Sequence, residues 1–114
     1  MTMTIEQLKI AIFEAENYTD VDGFVSNLLL SPAFLSPADD RAEPDLSQSA
    51  DLRKVWMGVK APFRDFLAAF DMTQTKLSRE FSIPLRTIQD WAGERRHCPI
   101  YVRKLMAAFL IIES

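Results

Sequence analysis

Hydrophobic residues recur every three or four positions along most of the chain, the spacing that places them on one face of an α-helix. The first such stripe predicts a helix from about Thr4 to Asn17, and Thr4 followed by Gln7 has the spacing of a capping box. A second stripe stops before Pro32 and predicts a short helix that pairs with the first. Its apolar positions are Phe24, Val25, Leu28 and Leu29.

The next stretch, residues 31–50, combines prolines with acidic side chains and predicts a linker rather than a helix. The prolines are Pro32, Pro37 and Pro44. Three large apolar side chains are candidates for pinning this linker to the rest of the protein: Phe34, Leu35 and Leu46.

Helical signals become dense from Ser49 onward, where five helices are predicted. Two long stripes come first, formed by Leu52, Val55, Trp56 and Val59 and then by Phe63, Phe66, Leu67 and Phe70. Three further helices are predicted over Thr73–Phe81, Pro84–Ala92 and Pro99–Ile112, because a threonine N-cap or a proline in the first turn marks each start. No stretch alternates apolar with polar residues over the length of a strand, so the predicted class is all-α.

Charge divides the chain unevenly. Of its 114 residues, 1–61 carry five basic and ten acidic side chains, a net charge of −5, whereas 62–114 carry eight basic and six acidic side chains, a net of +2. One cysteine, Cys98, and one histidine, His97, exclude a disulfide framework and leave too few ligands for a zinc site. No apolar run approaches the ~18 residues of a membrane span. We expect a cytoplasmic protein with no membrane association, cofactor or metal. The sequence shows no set of catalytic acid, base and nucleophile, so we do not expect an enzyme.

The connection between Phe81 and Ile88 is the most informative local feature. One predicted helix ends at Phe81, Ser82 and Ile83 turn the chain, and the next helix begins at Pro84. Such a short connection between two short helices is typical of a helix-turn-helix, whose second helix enters the major groove of DNA. We predict that Leu77, Phe81, Ile88 and Trp91 face inward, while Leu85, Arg86, Gln89 and Asp90 lie on the outer face of the second helix.

The stretch from Met72 to Trp91, with its core Ile-Pro-Leu-Arg-Thr-Ile-Gln-Asp-Trp, and the downstream Arg95, Arg96 and Pro99 resemble the Cro and phage-repressor class of helix-turn-helix proteins. The resemblance is greatest to small bacterial regulators of mobile elements and covers about residues 62–112. Two positions depart from the pattern of that class. Ser82 stands where a glycine is usual in the turn, which predicts a mildly costly backbone angle, and Gly93 falls one residue earlier than the usual glycine.

The resemblance implies a set of DNA contacts. Base-reading positions fall on Gln74, Leu85, Arg86, Gln89 and Asp90, and Thr87 falls nearer the DNA backbone. The remaining predicted phosphate contacts are Thr73, Lys76, Arg79, Arg95 and Arg96. Arg86 can donate two hydrogen bonds to guanine O6 and N7, and Gln74 or Gln89 can pair with adenine, each worth about 1 to 3 kcal/mol of discrimination. Asp90 can instead orient Arg86, four residues earlier on the same helix.

Together these features predict a helix-turn-helix bundle of the phage-repressor type with an amino-terminal helical extension. Residues 1–50 form the acidic helix pair and linker, and residues 51–114 form the DNA-binding domain. A single recognition helix reads too few base pairs for useful specificity, so we expect a homodimer on double-stranded DNA. The amino-terminal helices, with Phe24, Leu28 and Leu29, are the candidate dimer contact or the contact for a protein partner. The expected function is therefore sequence-specific binding of double-stranded DNA by a transcriptional regulator. The alternative function is a protein-interaction module on the same scaffold, either antitoxin-like or binding a phage or host factor.

Overall fold

A computed structural model describes residues 2–35 and 46–113 of the chain. In this part the chain forms seven α-helices, which confirms the all-α prediction. Their bounds are α1 Ile5–Ala15, α2 Val21–Leu29, α3 Ser49–Val59, α4 Phe63–Ala69, α5 Gln74–Phe81, α6 Leu85–Ala92 and α7 Ile100–Glu113. A single 3-10 turn, Leu46–Gln48, leads into α3. The section of the predicted linker at residues 36–45, with Pro37 and Pro44, lies outside the described residues.

The first helix begins where its capping residues predict, and the second also has a side-chain cap. The Thr4 hydroxyl accepts a hydrogen bond from the Gln7 amide at 3.1 Å, and the Gln7 side chain accepts one from the Thr4 amide at 3.0 Å, completing the capping box. The Asp20 carboxylate caps α2 by accepting from the amides of Asp22 and Gly23. The sequence predicted that α1 and α2 pair with each other. In the structure both helices instead pack mainly on α3.

One hydrophobic core joins the two ends of the chain. Its side chains come from α1 and α2, from α3 in the middle, and from α7 at the carboxyl end, with Ala107 and Ile111 fully buried. Phe34 is also buried in this core and anchors the start of the predicted linker, whereas Leu46 is exposed and anchors nothing. The core therefore crosses the predicted domain boundary at residue 50.

Phe24, Leu28 and Leu29, the apolar residues expected to serve a dimer or partner contact of the amino-terminal helices, are not exposed at the surface. All three side chains are buried in the first core, where α2 packs on the chain's own α3. Burying these apolar side chains within the chain removes them from water, so no partner is needed to cover them. The sequence pattern identified the apolar face of α2 but not what it faces.

The helices α3 and α7 approach each other closely at Gly58. A Cβ atom on Gly58 would lie 2.7 Å from the Ala107 Cβ and 3.2 Å from the Phe70 ring. Real Cβ contacts are longer than that, so glycine at this position permits the observed packing of α7 on α3.

A second core holds the carboxyl half together. It is built from α4, α5, α6 and α7, and Phe63, Phe66, Leu77, Ile88 and Trp91 are among its buried members. The Phe63 and Phe66 rings stack with centroids 5.1 Å apart, and Phe63 meets Trp91 edge to face at 5.5 Å. The phenylalanine stripe of α4 is therefore core. No helix within the described ranges is both long and apolar enough to cross a membrane.

Candidate nucleic-acid interface

A three-residue turn joins α5 to α6. Ser82 ends α5 in the left-handed conformation, with φ 53° and ψ 40°, and its amide donates to the Ser78 carbonyl. The Ile83 amide donates to the same carbonyl at 3.1 Å. In return, the Ser78 hydroxyl donates to the Ile83 carbonyl at 2.6 Å. These bonds fix the direction in which the chain leaves α5, and the costly backbone angle predicted for Ser82 is confirmed.

The inner faces of α5 and α6 meet through fully buried side chains. Leu77 on α5 and Ile88 on α6 are inaccessible to solvent, and Trp91 is nearly so. The predicted inward positions are confirmed for these three residues, whereas Phe81, also predicted to face inward, is only half-buried. Because these side chains fill the second core, the opposite face of α6 points away from the protein.

The outer face of α6 carries three of the predicted base-reading residues side by side. Leu85, Arg86 and Gln89 are exposed, and Thr87 is half-buried. An apolar side chain, a guanidinium with several donors, and an amide with both donors and acceptors offer the chemistry that distinguishes base pairs in the major groove.

Asp90 has a different environment from its neighbours on this face. Only 15% of its side chain is exposed, compared with 77% for Arg86. The Asp90 carboxylate lies 3.5 Å from Arg86 Nε and 3.9 Å from Arg95 Nη1. A carboxylate held between two guanidinium groups orients them, so the geometry favours the orienting interpretation of Asp90 over direct contact with a base.

The amino-terminal end of α5 carries three further predicted contacts, Thr73, Gln74 and Lys76, whereas Arg79 lies in the last turn of this helix. The Thr73 hydroxyl caps the helix by accepting from the Lys76 amide at 3.0 Å. Gln74 is half-buried, and Lys76 and Arg79 are exposed. The first-turn amides of a helix lack carbonyl partners within the helix, so this end carries a partial positive charge that favours a nearby anion.

The loop after α6 folds back on the helix that precedes it. The amides of Arg95 and Arg96 both donate to the Asp90 carbonyl, at 2.9 and 3.3 Å. The left-handed conformation in this loop falls on Glu94, with φ 60°, whereas Gly93 has φ −85°. The chain thus adopts a glycine-favouring angle one residue after its glycine. Both arginine side chains are exposed.

Two arginines that the sequence did not single out hold this unit in place. Arg64 on α4 donates to the Ala92 carbonyl at the end of α6. Arg103 on α7 donates to the carbonyls of Met57, Gly58 and Ala61 at the end of α3, and its guanidinium lies 5.9 Å from the centroids of the Phe63 and Phe66 rings. Burial lowers the pKa of Arg103, although a guanidinium remains charged at neutral pH. Neither arginine follows a motif, because the carbonyls they bind become neighbours only in the folded chain.

Positive charge continues beside the loop after α6. A cavity of about 280 Å³ lies between this loop and the end of α3, with Trp91 in its wall. Its lining includes the cations Lys60, Arg96 and Arg103 and the imidazole of His97. One carboxylate, Glu94, also lines it.

Cys98 is half-buried and its neighbour His97 is exposed. Within residues 2–35 and 46–113, no group of three or more His, Cys, Asp and Glu side chains is arranged to hold a metal ion. Burial raises the pKa of the Cys98 thiol to about 12, although the nearby Arg103 charge opposes that shift. A thiol with such a pKa is protonated at neutral pH and is a poor nucleophile.

Comparison of the chain with protein-family models, with curated proteins and with solved structures found no match.

Proposed function

We propose that this chain binds double-stranded DNA in a sequence-dependent way and regulates transcription, with α6 as the recognition helix. The observation that carries the proposal is the division of α6 into two faces. Ile88, Trp91 and Ala92 anchor one face in the core, and Leu85, Arg86 and Gln89 project from the other. A short helix that is fixed by its inner face and carries side chains able to contact base edges on its outer face suits the major groove.

Charge around α6 supports the same function. Lys76 and Arg79 lie on α5, and Arg95 and Arg96 follow α6, so cations flank the proposed reading face along the chain on both sides. Such cations neutralise phosphates and position the reading helix without specifying sequence. The resemblance of residues 62–112 to phage-repressor-type regulators implies the same arrangement.

Selection from a random duplex library tests this proposal. We expect the wild-type chain to enrich a short motif and its affinity to fall steeply as salt increases, because phosphate neutralisation releases counterions. In the Arg86→Ala variant, discrimination at one base position should drop by about 5- to 150-fold, the equivalent of ~1 to 3 kcal/mol. Arg53→Ala is the matched control, because Arg53 is an exposed arginine on α3 that pairs with Asp22 at 2.7 Å.

The control variant should select the wild-type motif. If no sequence is enriched at low salt, or if Arg86→Ala and Arg53→Ala select the same motif with the same preference, the DNA-binding proposal fails. Absence of any enriched sequence at low salt would instead favour the protein-interaction module, for which the acidic amino-terminal half is the supporting feature.

A further inference from the structure

The outer side of α7 carries a row of exposed apolar residues. Met106, Ala107 and Ile111 face the two cores, whereas a second set follows at intervals of four, four and three residues and lies along the solvent side. This outer row consists of Tyr101, Leu105, Phe109 and Ile112, which are 66%, 68%, 44% and 53% exposed.

The charged side chains of α7 do not interrupt this row. Arg103 is bound to the carbonyls at the end of α3, and Lys104 forms an ion pair with Glu16 of α1 at 2.6 Å. No charged residue occurs from Leu105 to Ile112. Exposed surface on a helix end of this kind normally carries charge, so a charge-free row points to an apolar partner rather than to DNA.

A groove extends the row toward α5. It has a volume of about 450 Å³ and almost entirely apolar walls. Two of the rings that line this groove, Phe109 and Phe81, meet edge to face with centroids 5.4 Å apart. The lining residues are Phe81, Ile83, Val102, Leu105, Met106 and Phe109.

The area of this surface suits association between two chains. A large aromatic side chain presents about 150 to 250 Å², so the exposed parts of the four-residue row amount to roughly 400 Å², within the range of the largest apolar patches on monomers. A stable interface buries about 800 Å² on each partner, with an apolar centre and a polar rim. The row together with the groove provides that centre.

We propose that this surface pairs with the same surface of a second copy of the chain, the two α7 helices lying antiparallel about a two-fold axis. A two-fold contact places each patch against itself, so a patch bearing one sign of charge would repel its copy. The α7 row avoids that repulsion because it is uncharged. It also places Glu113, at the carboxyl end of one helix, near the positive amino-terminal end of the other.

The spacing of the row sets the register of this pairing. Leu105 and Phe109 have their midpoint at residue 107, and Tyr101 and Ile112 have theirs between 106 and 107. One axis near Ala107 therefore brings Leu105 against Phe109 of the second copy and Tyr101 against Ile112 of the second copy. The claim that this dimer presents a second recognition helix to DNA rests on the proposed function. The claim that the two surfaces pair does not.

Sedimentation of the free protein tests the dimer without DNA, so that its failure is separable from failure of DNA binding. We expect the wild type to dimerise in a concentration-dependent way, and Leu105→Glu to raise the dissociation constant by roughly thirtyfold or more. Leu30→Glu is the matched control, because Leu30 is 61% exposed at the end of α2. It should dimerise like the wild type. A wild type that stays monomeric, or a Leu30→Glu defect equal to that of Leu105→Glu, overturns the proposal.

Charge complementation tests the register. Leu105→Glu and Phe109→Lys should each be mainly monomeric alone, with wild-type helical content by circular dichroism. Mixed together they should form a heterodimer, because Glu at 105 of one chain then meets Lys at 109 of the other. If both variants are folded and the mixture stays monomeric while the wild type dimerises, the antiparallel register is wrong.

Discussion

The hydroxyl of Ser78 donates a hydrogen bond to the carbonyl of Ile83, five residues later in the chain, at 2.6 Å. This bond spans the turn between α5 and α6 and ties the end of one helix to the start of the next. Serine is small enough to let the helices approach and still supplies the donor.

Replacing Ser78 with alanine should destabilise the fold. The half-buried Ile83 carbonyl would lose its side-chain partner, at a cost of about 1 to 2 kcal/mol. Chemical denaturation measures the change in the free energy of unfolding. Thr75→Ala, at an exposed position on the same helix, is the control and should change stability by no more than ~0.5 kcal/mol. Equal effects of the two substitutions would show that the hydrogen bond contributes nothing.

Ser82→Gly should stabilise the protein. Ser82 has φ 53°, an angle that costs a non-glycine residue roughly 1 to 2 kcal/mol. Glycine relieves that cost, although its freer unfolded state offsets part of the gain, so we expect a net increase of about 0.5 to 1 kcal/mol. Thermal unfolding provides the measurement. Ser82→Val, whose branched side chain suits this conformation least, should lower the melting temperature.

Gly58→Ala should be destabilising even though alanine favours helix. The added Cβ would lie 2.7 Å from the Ala107 Cβ, and such overpacking costs about 1 to 3 kcal/mol, more than the ~1 kcal/mol gained in helix propensity. Ala107→Gly should cost less stability in the Gly58→Ala background than in the wild type, because there it removes the atom that clashes. Equal costs in the two backgrounds would show that contact with Ala107 is not the cause.

Cys98 should make stability fall with pH in alkaline solution. Its pKa is about 12 in the folded protein, above the 9.0 of a free thiol, so the folded state holds the proton more tightly between these values. The contribution of the protonated Cys98 thiol to the free energy of unfolding is present in full below pH 9 and is lost as pH rises toward 12. Comparison of wild type with Cys98→Ala by urea denaturation at increasing pH isolates it from lysine titration, and the wild type should show the steeper decline.

Asp90→Asn should weaken sequence discrimination while strengthening general attraction to DNA. The substitution removes the carboxylate that lies between Arg86 and Arg95, so the two guanidinium groups lose their shared orienting partner. It also adds one unit of positive charge to the surface. Binding to random duplexes at low salt should tighten, and the ratio of selected to random affinity should fall. Unchanged discrimination would show that Arg86 needs no orientation by Asp90.

Much of the local structure was predictable because its causes are local. The threonine caps at Thr4 and Thr73 depend on neighbouring residues, so the sequence displays them directly. The burial of Ile88 and Trp91 follows in the same way from helical spacing. The strained angle at Ser82 was predicted from the resemblance to a class with glycine at that position.

The partners of apolar faces were not predictable in that way. Phe24 and Leu28 lie on an apolar stripe whether it covers a core or a dimer interface, and the sequence does not distinguish these environments. In α7 every residue from Leu105 to Ile112 is apolar, so periodicity could not separate the buried Met106 from the exposed Leu105. Arg103 was missed because its carbonyl partners are more than forty residues away.

The core that joins α1, α2, α3 and α7 limits how the chain can be dissected. Excising residues 1–35 to obtain a minimal DNA-binding fragment would uncover Leu52 and Val55 on α3 and Ala107 and Ile111 on α7. Such a fragment should aggregate or lose its cooperative melting, and its failure to bind DNA would say nothing about α6. Point substitutions in the intact chain are therefore the appropriate way to assign roles to its two halves.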